Sequence, residues 1–551
     1  MANARETLWA VFNGELYNHR ELRDDLVRRG HRLRSHCDSE LIPHLYEQWG
    51  AEMVTRLRGM FALAVFNPAS GELFLARDPF GIKPLYYQQT PGQVLFASEA
   101  RALLAGGITA DVDPVSVWHY LSFGYVPDPA TMWQGVRKLA PGHFLTFRDG
   151  QLTVHRYWHP KFEPADGASL QESADAIERA LNDSVAAHLD ADVPVGAYLS
   201  SGVDSSLLVA LAARRQPVQT FSVGFEGSRG GHEELSAARD LAALLGTDHH
   251  EELISARSYC AALPGIADSQ EEPLADPSAP ALWFLARAAS RQVKAVLSGE
   301  GADELFAGYP IFHEPHALRA VDGLPVQVRS RVGRAAGGLP DGMRGKSFLE
   351  RGSTPLARRF LGNVPIFTEE EKRRLLDAAF PSGALPAPSY EVVAGYYAAA
   401  EGADDVTKMQ TVSCQTWLPG SILMKADKMG MAHSVEVRVP FLDRDVFAAA
   451  AALPLAHRIG RRRTKIALRA AAARVLPAAT AQRPKLGFPV PFRSWLDGEL
   501  GALLRELVVS TDDPLLDRAA VEISVKQGGP AQHRKQWSLL AYLLWRQAVI
   551  K

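Results

Sequence analysis

The run LSSGVDSS at residues 199–206 constrains the fold more than any other feature of this chain. Alternating apolar residues precede it, as in a strand, and a helix-like apolar run at 207–211 follows it. A turn of small residues between a strand and a helix presents backbone N–H groups, serine hydroxyls and the positive end of a helix dipole to a phosphate. No lysine ends the turn, so it does not match a Walker A loop. The run therefore predicts an α/β sheet whose edge binds a phosphate or pyrophosphate group.

Composition excludes several classes of protein. A chain of 551 residues is long enough for two or more domains, each with its own core. Lys plus Arg (60) nearly balances Asp plus Glu (62), so no basic field favours nucleic acid, and we expect small-molecule partners. No signal peptide or bilayer-length apolar run is present, so we expect no membrane segment. The three cysteines share no CxxC or CxxxH spacing, which argues against a cysteine zinc site and a disulfide framework and favours a reducing cytoplasm.

The chain divides near a polar stretch at residues 164–169. Before it, short β-rich runs alternate with turns and predict an α+β domain over residues 1–160, with strands at 8–12, 61–66, 73–76 and 94–97. After it, apolar residues at helical spacing predict a helix through Ile177 and Val185. Strands at 220–225 and 295–297 alternate with helices and predict a parallel sheet in a second domain over residues 170–551. The arginine-rich region 319–359 reads as solvated helices and loops.

A second small-residue turn lies in VLSGEGADELFAGY at residues 296–309. Three carboxylates, Glu300, Asp303 and Glu304, open the helix that follows it. Acidic residues there can serve as cap and dipole residues. Turns that follow parallel strands meet at one carboxyl edge, however, and carboxylates beside a triphosphate need Mg²⁺ between them. Positive charge for the phosphates can come from Lys425, Lys428, Arg438 and Lys485, the last of these in a Pro- and Gly-bounded loop that can close over a site.

These blocks, with FSVGFE at 221–226, DKMGMAHSVEVRVPFLD at 427–443 and RPKLGFPVPF at 483–492, resemble in order the synthetase domain of the asparagine synthetase family over residues 199–500. The resemblance implies a PP-loop ATP pyrophosphatase fold (adenine nucleotide alpha hydrolase-like), with ATP and Mg²⁺ as cofactors. By resemblance, Glu300 supports formation of an acyl-adenylate, Lys485 stabilises the charged intermediate, and Asp204 and Asp303 hold Mg²⁺. The implied ATP-binding residues are Leu199, Ser200, Ser201, Gly202, Val203, Asp204, Ser205, Val223, Ser298 and Gly299.

The first half resembles the glutamine-hydrolysing domain of the same family, a class II glutamine amidotransferase of the N-terminal-nucleophile type. The resemblance rests on FNGELYNHRELR at 12–23, LARDPFGIKPLYY at 75–87 and FASEARAL at 96–103. It places Asn13, Gly14, Glu15 and Asp38 on glutamine-binding positions.

This domain is expected to be incomplete. The family's Met-Cys-Gly-Ile start, its glutamine-gripping arginine and its early strands are absent, which predicts an unpaired sheet edge. The family nucleophile is a cysteine that uses its own free α-amino group, which Cys37, Cys260 and Cys414 cannot offer. The chain as printed is therefore expected to use ammonia rather than glutamine. Two explanations of the missing segment stay open: a start codon placed too far downstream, or a real shortening of the protein. The residues on glutamine-binding positions are intact, which favours the first.

Three functions are compatible with the sequence. The first is ATP-dependent amidation of aspartate, or a related acid, to give asparagine, AMP and pyrophosphate. The second is a lactam-forming or peptide-cyclising synthetase with a silent first domain, which the same turns and Lys485 would serve. The third, a non-catalytic nucleotide-binding paralogue, predicts loss of the charged site residues, all of which are present. A homodimer is compatible with the resemblance.

Overall fold

The computed structural model describes residues 1–109, 111–165, 167–227, 229–340, 343–484, 490–527 and 529–549. Thirteen strands are found in these ranges: β1 (Trp9–Leu16), β2 (Gly59–Asn67), β3 (Glu72–Arg77), β4 (Tyr86–Thr90), β5 (Gln93–Ala97), β6 (Arg137–Lys138), β7 (His143–Arg148), β8 (Gln151–Arg156), β9 (Val195–Tyr198), β10 (Gln219–Phe225), β11 (Asp248–Ile254), β12 (Ala295–Leu297) and β13 (Glu436–Arg438). They form three sheets, in the order β1-β2-β3-β7-β8, β5-β4-β6 and β11-β10-β9-β12-β13.

Helices surround these sheets. Those of the first 300 residues are α1 (His19–Arg28), α2 (Leu41–Trp49), α3 (Ala100–Ala105), α4 (Pro114–Phe123), α5 (Leu170–Leu189), α6 (Val203–Ala213), α7 (Arg229–Leu245), α8 (Ala256–Gln270) and α9 (Ala279–Ala289). Those of the remainder are α10 (Ala302–Leu305), α11 (Glu314–Asp322), α12 (Val326–Gly337), α13 (Lys346–Ser353), α14 (Leu356–Arg359), α15 (Glu369–Leu375), α16 (Ala394–Ala399), α17 (Asp405–Gln415), α18 (Met424–Met431), α19 (Arg444–Ala451), α20 (Leu455–Arg458), α21 (Ile466–Ala472), α22 (Ala478–Ala481), α23 (Phe492–Leu496), α24 (Glu499–Ser510), α25 (Arg518–Lys526) and α26 (Pro530–Val549).

The two antiparallel sheets form the α+β part of the fold. All four short strands expected there are present, as β1, β2, β3 and β5. One face of the five-stranded sheet packs on α1 and α2 through residues such as Leu26, Leu45 and Phe74. The other packs on the three-stranded sheet through Leu75 and Leu139. β1 lies at the end of its sheet. The expected unpaired edge is covered in part, because Ala2 bridges Trp9 and the Met1 carbonyl accepts the Ala10 N–H at 2.7 Å.

The parallel sheet organises the second half. Strand β9 lies between β10 and β12, and the register sets Leu297 opposite Ala197 and Phe221 opposite Tyr198. Every residue of β9 is buried because helices cover both faces, as a near-continuous apolar strand requires. The chain leaves β9 in one direction toward β10 and places β12 on the opposite side. This order produces the switch point at which open α/β sheets bind ligands.

The polar stretch before α5 ends at a helix cap. Ser169 accepts a hydrogen bond from the Glu172 N–H, and the Glu172 side chain accepts one from the Ser169 N–H. The expected apolar stripe of α5, including Ile177 and Val185, is fully buried. One apolar cluster nevertheless continues from α4 into the parallel-sheet layer, because Tyr120 packs beside Tyr542 of α26. The two halves therefore share a core.

Helices α11 to α14 with short connections occupy the described part of the arginine-rich region 319–359, as expected. Not all of its arginines are solvated, because the Arg359 side chain is 2% exposed and pairs with Glu314 and Asp322. Among the described residues, no helix combines the length and apolar character needed to cross a bilayer.

Candidate active site

The turn after β9 is organised by its own serines. The Ser205 hydroxyl accepts a hydrogen bond from the Ser200 N–H at 3.0 Å and lies 2.8 Å from Ser200 Oγ. The Gly202 N–H donates to Ser200 Oγ at 3.1 Å, and Gly202 caps α6. These short-range bonds hold the turn in shape at the positive end of the helix, where an anion is stabilised.

The turn after β12 lies directly against the first. A Cβ added at Gly299 would lie 3.2 Å from both the Asp204 Cβ and the Ser205 N, so a side chain there would push the two turns apart by a few tenths of an ångström. Gly301 has φ +90° and caps α10, a conformation that a side chain would strain. Both turns leave neighbouring parallel strands, as the sequence predicts, and they meet at the same edge of the sheet.

A cleft of about 410 Å³ opens over this edge, a volume typical of small-molecule sites. Asp204 and Glu300 border the same cleft, so both turns lie at one edge of the sheet and not at opposite edges. The sequence-predicted residues that line it are Leu199, Ser200, Ser201, Gly202, Val203, Asp204, Ser205, Val223, Ser298, Gly299, Glu300 and Asp303.

Lys465, to which no sequence motif points, also lines this cleft. Its Nζ lies 2.6 Å from Asp204 Oδ2 and 2.7 Å from Asp303 Oδ1, and its side chain is 1% exposed. The residue has φ +56° just before α21, and a Cβ at Gly308 would overlap its Cε at 2.0 Å. Close packing therefore fixes the ammonium between the two carboxylates. In the sequence it follows three arginines at 461–463 and resembles a surface charge, so no local signal distinguishes it.

The other cationic side chains that were expected near the phosphates differ in position: one lines the cleft and two are paired elsewhere. Lys425 lines the cleft and donates to Asp276 Oδ2 at 2.8 Å. Lys428 is buried against Glu271 instead, and Arg438 is paired with Glu15.

The candidate catalytic Lys485 lies outside the described residues. Chain on both sides of it borders the cleft, namely Arg483 and Pro484 before it and Val490 after it. Arg469 also lines the cleft, where its Nη1 donates to the Arg483 carbonyl at 2.8 Å.

An acidic cluster lies at the start of α10. Burial and the neighbouring Asp303 charge raise the pKa of Glu304 to about 7, and its Oε1 accepts a hydrogen bond from the Tyr309 hydroxyl at 2.7 Å. Tyr309 lines the cleft, and the Trp417 indole N–H donates to its hydroxyl at 3.3 Å. A π-helical turn at Leu418–Leu423 follows Trp417, and Ile422 of this turn lines the cleft. Such turns often mark functional sites.

The four residues on glutamine-binding positions also come together. Asn13, Gly14 and Glu15 are consecutive on β1, and Asp38 joins them because its Oδ2 accepts the Leu16 N–H at 2.9 Å. A Cβ at Gly14 would lie 2.0 Å from the Met60 carbonyl, so strand pairing requires glycine there. Burial raises the pKa of Glu15 to about 7, although Arg438 opposes that rise.

The cysteines are all free thiols. Cys37 precedes Asp38 in an exposed loop, and its Sγ lies 3.6 Å from Asp38 Oδ1 and 3.0 Å from Ser39 Oγ. The Cys37 nitrogen lies within a peptide bond, so this residue lacks the free α-amino group that an N-terminal nucleophile uses.

The sequence of the chain matches known families and relatives. The asparagine synthase family model matches residues 176–547, and a glutamine amidotransferase domain model matches residues 1–158. A Mycobacterium bovis protein whose name places it among the asparagine synthetases (glutamine-hydrolyzing) is 44% identical over 98% of this chain and 84% of its own length. Bacillus subtilis asparagine synthetase (glutamine-hydrolyzing) 1 is 39% identical over 99% of this chain and 86% of its own. A Gibberella zeae protein named amidase chry2 is 28% identical over 79% of this chain and 69% of its own. The chain belongs to the asparagine synthase family.

Proposed function

We propose that this protein uses ATP to activate the side-chain carboxylate of L-aspartate as an acyl-adenylate and transfers ammonia to it, giving asparagine, AMP and pyrophosphate. One observation carries the proposal: two phosphate-suited turns on adjacent parallel strands meet around Asp204, Asp303 and the buried Lys465. The three free thiols favour a reducing, cytoplasmic setting.

In this proposal the nucleotide lies across the two turns. The N-terminus of α6 and the serines of the first turn bind pyrophosphate, while Val223 and the second turn border the nucleoside. Asp204 and Asp303 are the residues that would hold Mg²⁺. The fit is supported by Asp204 Oδ1, which is buried and accepts no hydrogen bond from any described residue. A bound magnesium ion would neutralise phosphate charge.

Activation requires positive charge near the phosphates. An oxygen of the aspartate side chain attacks the α-phosphorus, and the bond from that phosphorus to pyrophosphate breaks. Lys465 supplies a fixed ammonium beside the turn, where it offsets charge that develops on the leaving pyrophosphate. Arg469 and Lys425 border the same cleft. We retain Lys485 as a second candidate cation for this step.

Amide formation follows at the same place. The ammonia nitrogen attacks the carbonyl carbon, the tetrahedral intermediate expels AMP, and the nitrogen loses one proton. Glu300, for which the resemblance implies a role in forming the acyl-adenylate, borders the cleft next to Ser298 and Gly299 and is also our candidate for the base that accepts that proton. Asn13, Gly14, Glu15 and Asp38 form the proposed glutamine site of the first half.

The proposal is tested by measuring pyrophosphate release and amide product with purified protein of the printed sequence. Release should require ATP and aspartate, and asparagine should carry ¹⁵N from labelled ammonium. Glutamine is tested as the alternative nitrogen donor in the same assay, because a glutamine amidotransferase domain model matches residues 1–158. Release that another carboxylic acid supports better than aspartate would move the protein to a different amide-forming reaction. Glutamine-driven turnover would overturn the assignment of ammonia as donor.

A further inference from the structure

A histidine-rich cluster lies in the first half, apart from the ATP cleft. It consists of His31, in the connection that follows α1, and of His44 and Glu47, which are one turn apart on α2. Each side chain offers one ligand atom, and the three atoms lie within 4.8 Å of one another. Neither the cysteine spacings nor the proposed synthetase chemistry accounts for this cluster.

The distances in the cluster match those between ligands of one small cation. His31 Nδ1 lies 3.2 Å from His44 Nδ1 and 3.8 Å from Glu47 Oε2. With zinc bonds of about 2.0–2.2 Å, the ligand atoms of a tetrahedral site lie about 3.3–3.6 Å apart. Both distances from His31 therefore lie within a few tenths of an ångström of that spacing.

Neighbouring side chains orient these ligands. His31 Nε2 lies 3.1 Å from Gln48 Oε1, so a proton on Nε2 leaves the Nδ1 lone pair directed at His44. The Asn3 amide donates to Glu47 Oε2 at 3.1 Å. Asn3 is itself fixed, because its Oδ1 accepts the Thr7 and Leu8 N–H groups. Outer partners of this kind are a regular feature of metal sites.

Burial differs across this cluster. His44 is 1% exposed, so its imidazole is shielded from bulk water. The Glu47 side chain is 31% exposed, so solvent reaches that side and water can supply the fourth ligand.

We propose that His31, His44 and Glu47 bind one divalent transition-metal ion, with zinc as the ion best suited to two nitrogens and one carboxylate oxygen. The ion would join the connection between α1 and α2 to α2 itself. Asp38, the candidate glutamine contact, lies in the same connection. The bound ion would therefore stabilise the loop that positions Asp38. The inference does not depend on the proposed synthetase reaction.

The test uses the whole chain, freed of metal by a chelator and titrated with ZnCl₂ by calorimetry. We expect one site, a raised thermal midpoint, and a four-coordinate visible spectrum when Co²⁺ replaces zinc. His31→Gln and His44→Gln should each weaken binding more than about 100-fold, and Gln48→Ala about 10-fold to 100-fold. Mg²⁺ should not compete, because it prefers oxygen ligands.

His36→Gln is the matched control, because His36 is an exposed histidine of the same connection. It should bind zinc as the unchanged protein does. If His44→Gln does not fold, the partly exposed His31 and Glu47→Gln carry the test. Zinc binding that survives all three cluster substitutions, or no high-affinity site in the unchanged protein, would overturn the inference.

Discussion

The Glu15 carboxylate of the first half lies 3.1 Å from the Arg438 guanidinium of the second half. Arg438 also donates to the His188 carbonyl at 2.9 Å, and its own carbonyl accepts the Ser298 N–H at 2.8 Å. Arg438 therefore contacts Glu15 of the proposed glutamine site through its side chain and the turn after β12 through its backbone. The two proposed sites are connected through this one residue.

A double-mutant cycle measures this connection. Glu15→Gln and Arg438→Met should together destabilise the protein less than the sum of the two single changes. The coupling should reach at most about 1 kcal/mol, because the Glu15 side chain is 37% exposed and solvent screens the pair. Unfolding midpoints in urea and the KM for ATP are the two measurements. Arg20→Met, which removes an exposed arginine, is the control, and strict additivity at Glu15 would contradict the connection.

Lys465→Met should abolish most product formation. The change removes the ammonium that lies between Asp204 and Asp303, and with it positive charge from the proposed transition state. We expect pyrophosphate release to fall by about 100-fold or more. Lys161→Met, at an exposed position, should leave turnover unchanged. Normal turnover in a folded Lys465→Met protein would remove this residue from the mechanism.

Gly299→Ala should push the two turns apart. The added methyl would lie 3.2 Å from Asp204 Cβ and Ser205 N, and a backbone neighbour yields less easily than a side chain. We expect the KM for ATP to rise by about 10-fold, which corresponds to about 1.4 kcal/mol of binding. Gly265→Ala is the control because its methyl meets nothing within 4 Å and alanine favours the helix. Equal kinetics for both variants would count against close contact between the turns.

The pKa of Glu304, raised from 4.5 to about 7, predicts a pH-dependent stability. Between these values the folded protein keeps a proton that the unfolded chain has lost. The contribution of Glu304 is therefore fully present below about pH 4.5 and is lost as the pH rises through 7. Relative to Glu304→Gln, the unchanged protein should lose up to about 3 kcal/mol over this range. Thermal midpoints at pH 5 and pH 8 measure the difference, with the exposed Glu391→Gln as control, and parallel pH profiles for both variants would contradict the raised pKa.

Local patterns predicted the elements that carry the site. Period-two and helical spacing located β1, β2, β3, β5, β10, β12 and α5 within a few residues, because burial of one face imposes those periods on the sequence. The two glycine- and serine-rich turns were identifiable for a similar reason. Their backbone conformation and close approach admit few residue types, so the composition itself records the constraint.

The sequence by itself thus determined two turns on parallel strands, the carboxylates beside them and the family to which the chain belongs. Only the tertiary structure decided which cationic side chains lie beside these turns and carboxylates. Lys465 and Lys428 look alike along the chain, yet packing buries one between Asp204 and Asp303 and the other against Glu271. The His31 and His44 pair likewise forms only when the connection after α1 folds back onto α2. Contacts of this kind produce no repeating pattern in the sequence. The path of the backbone decides which side chains meet, and the residues next to each one along the chain do not.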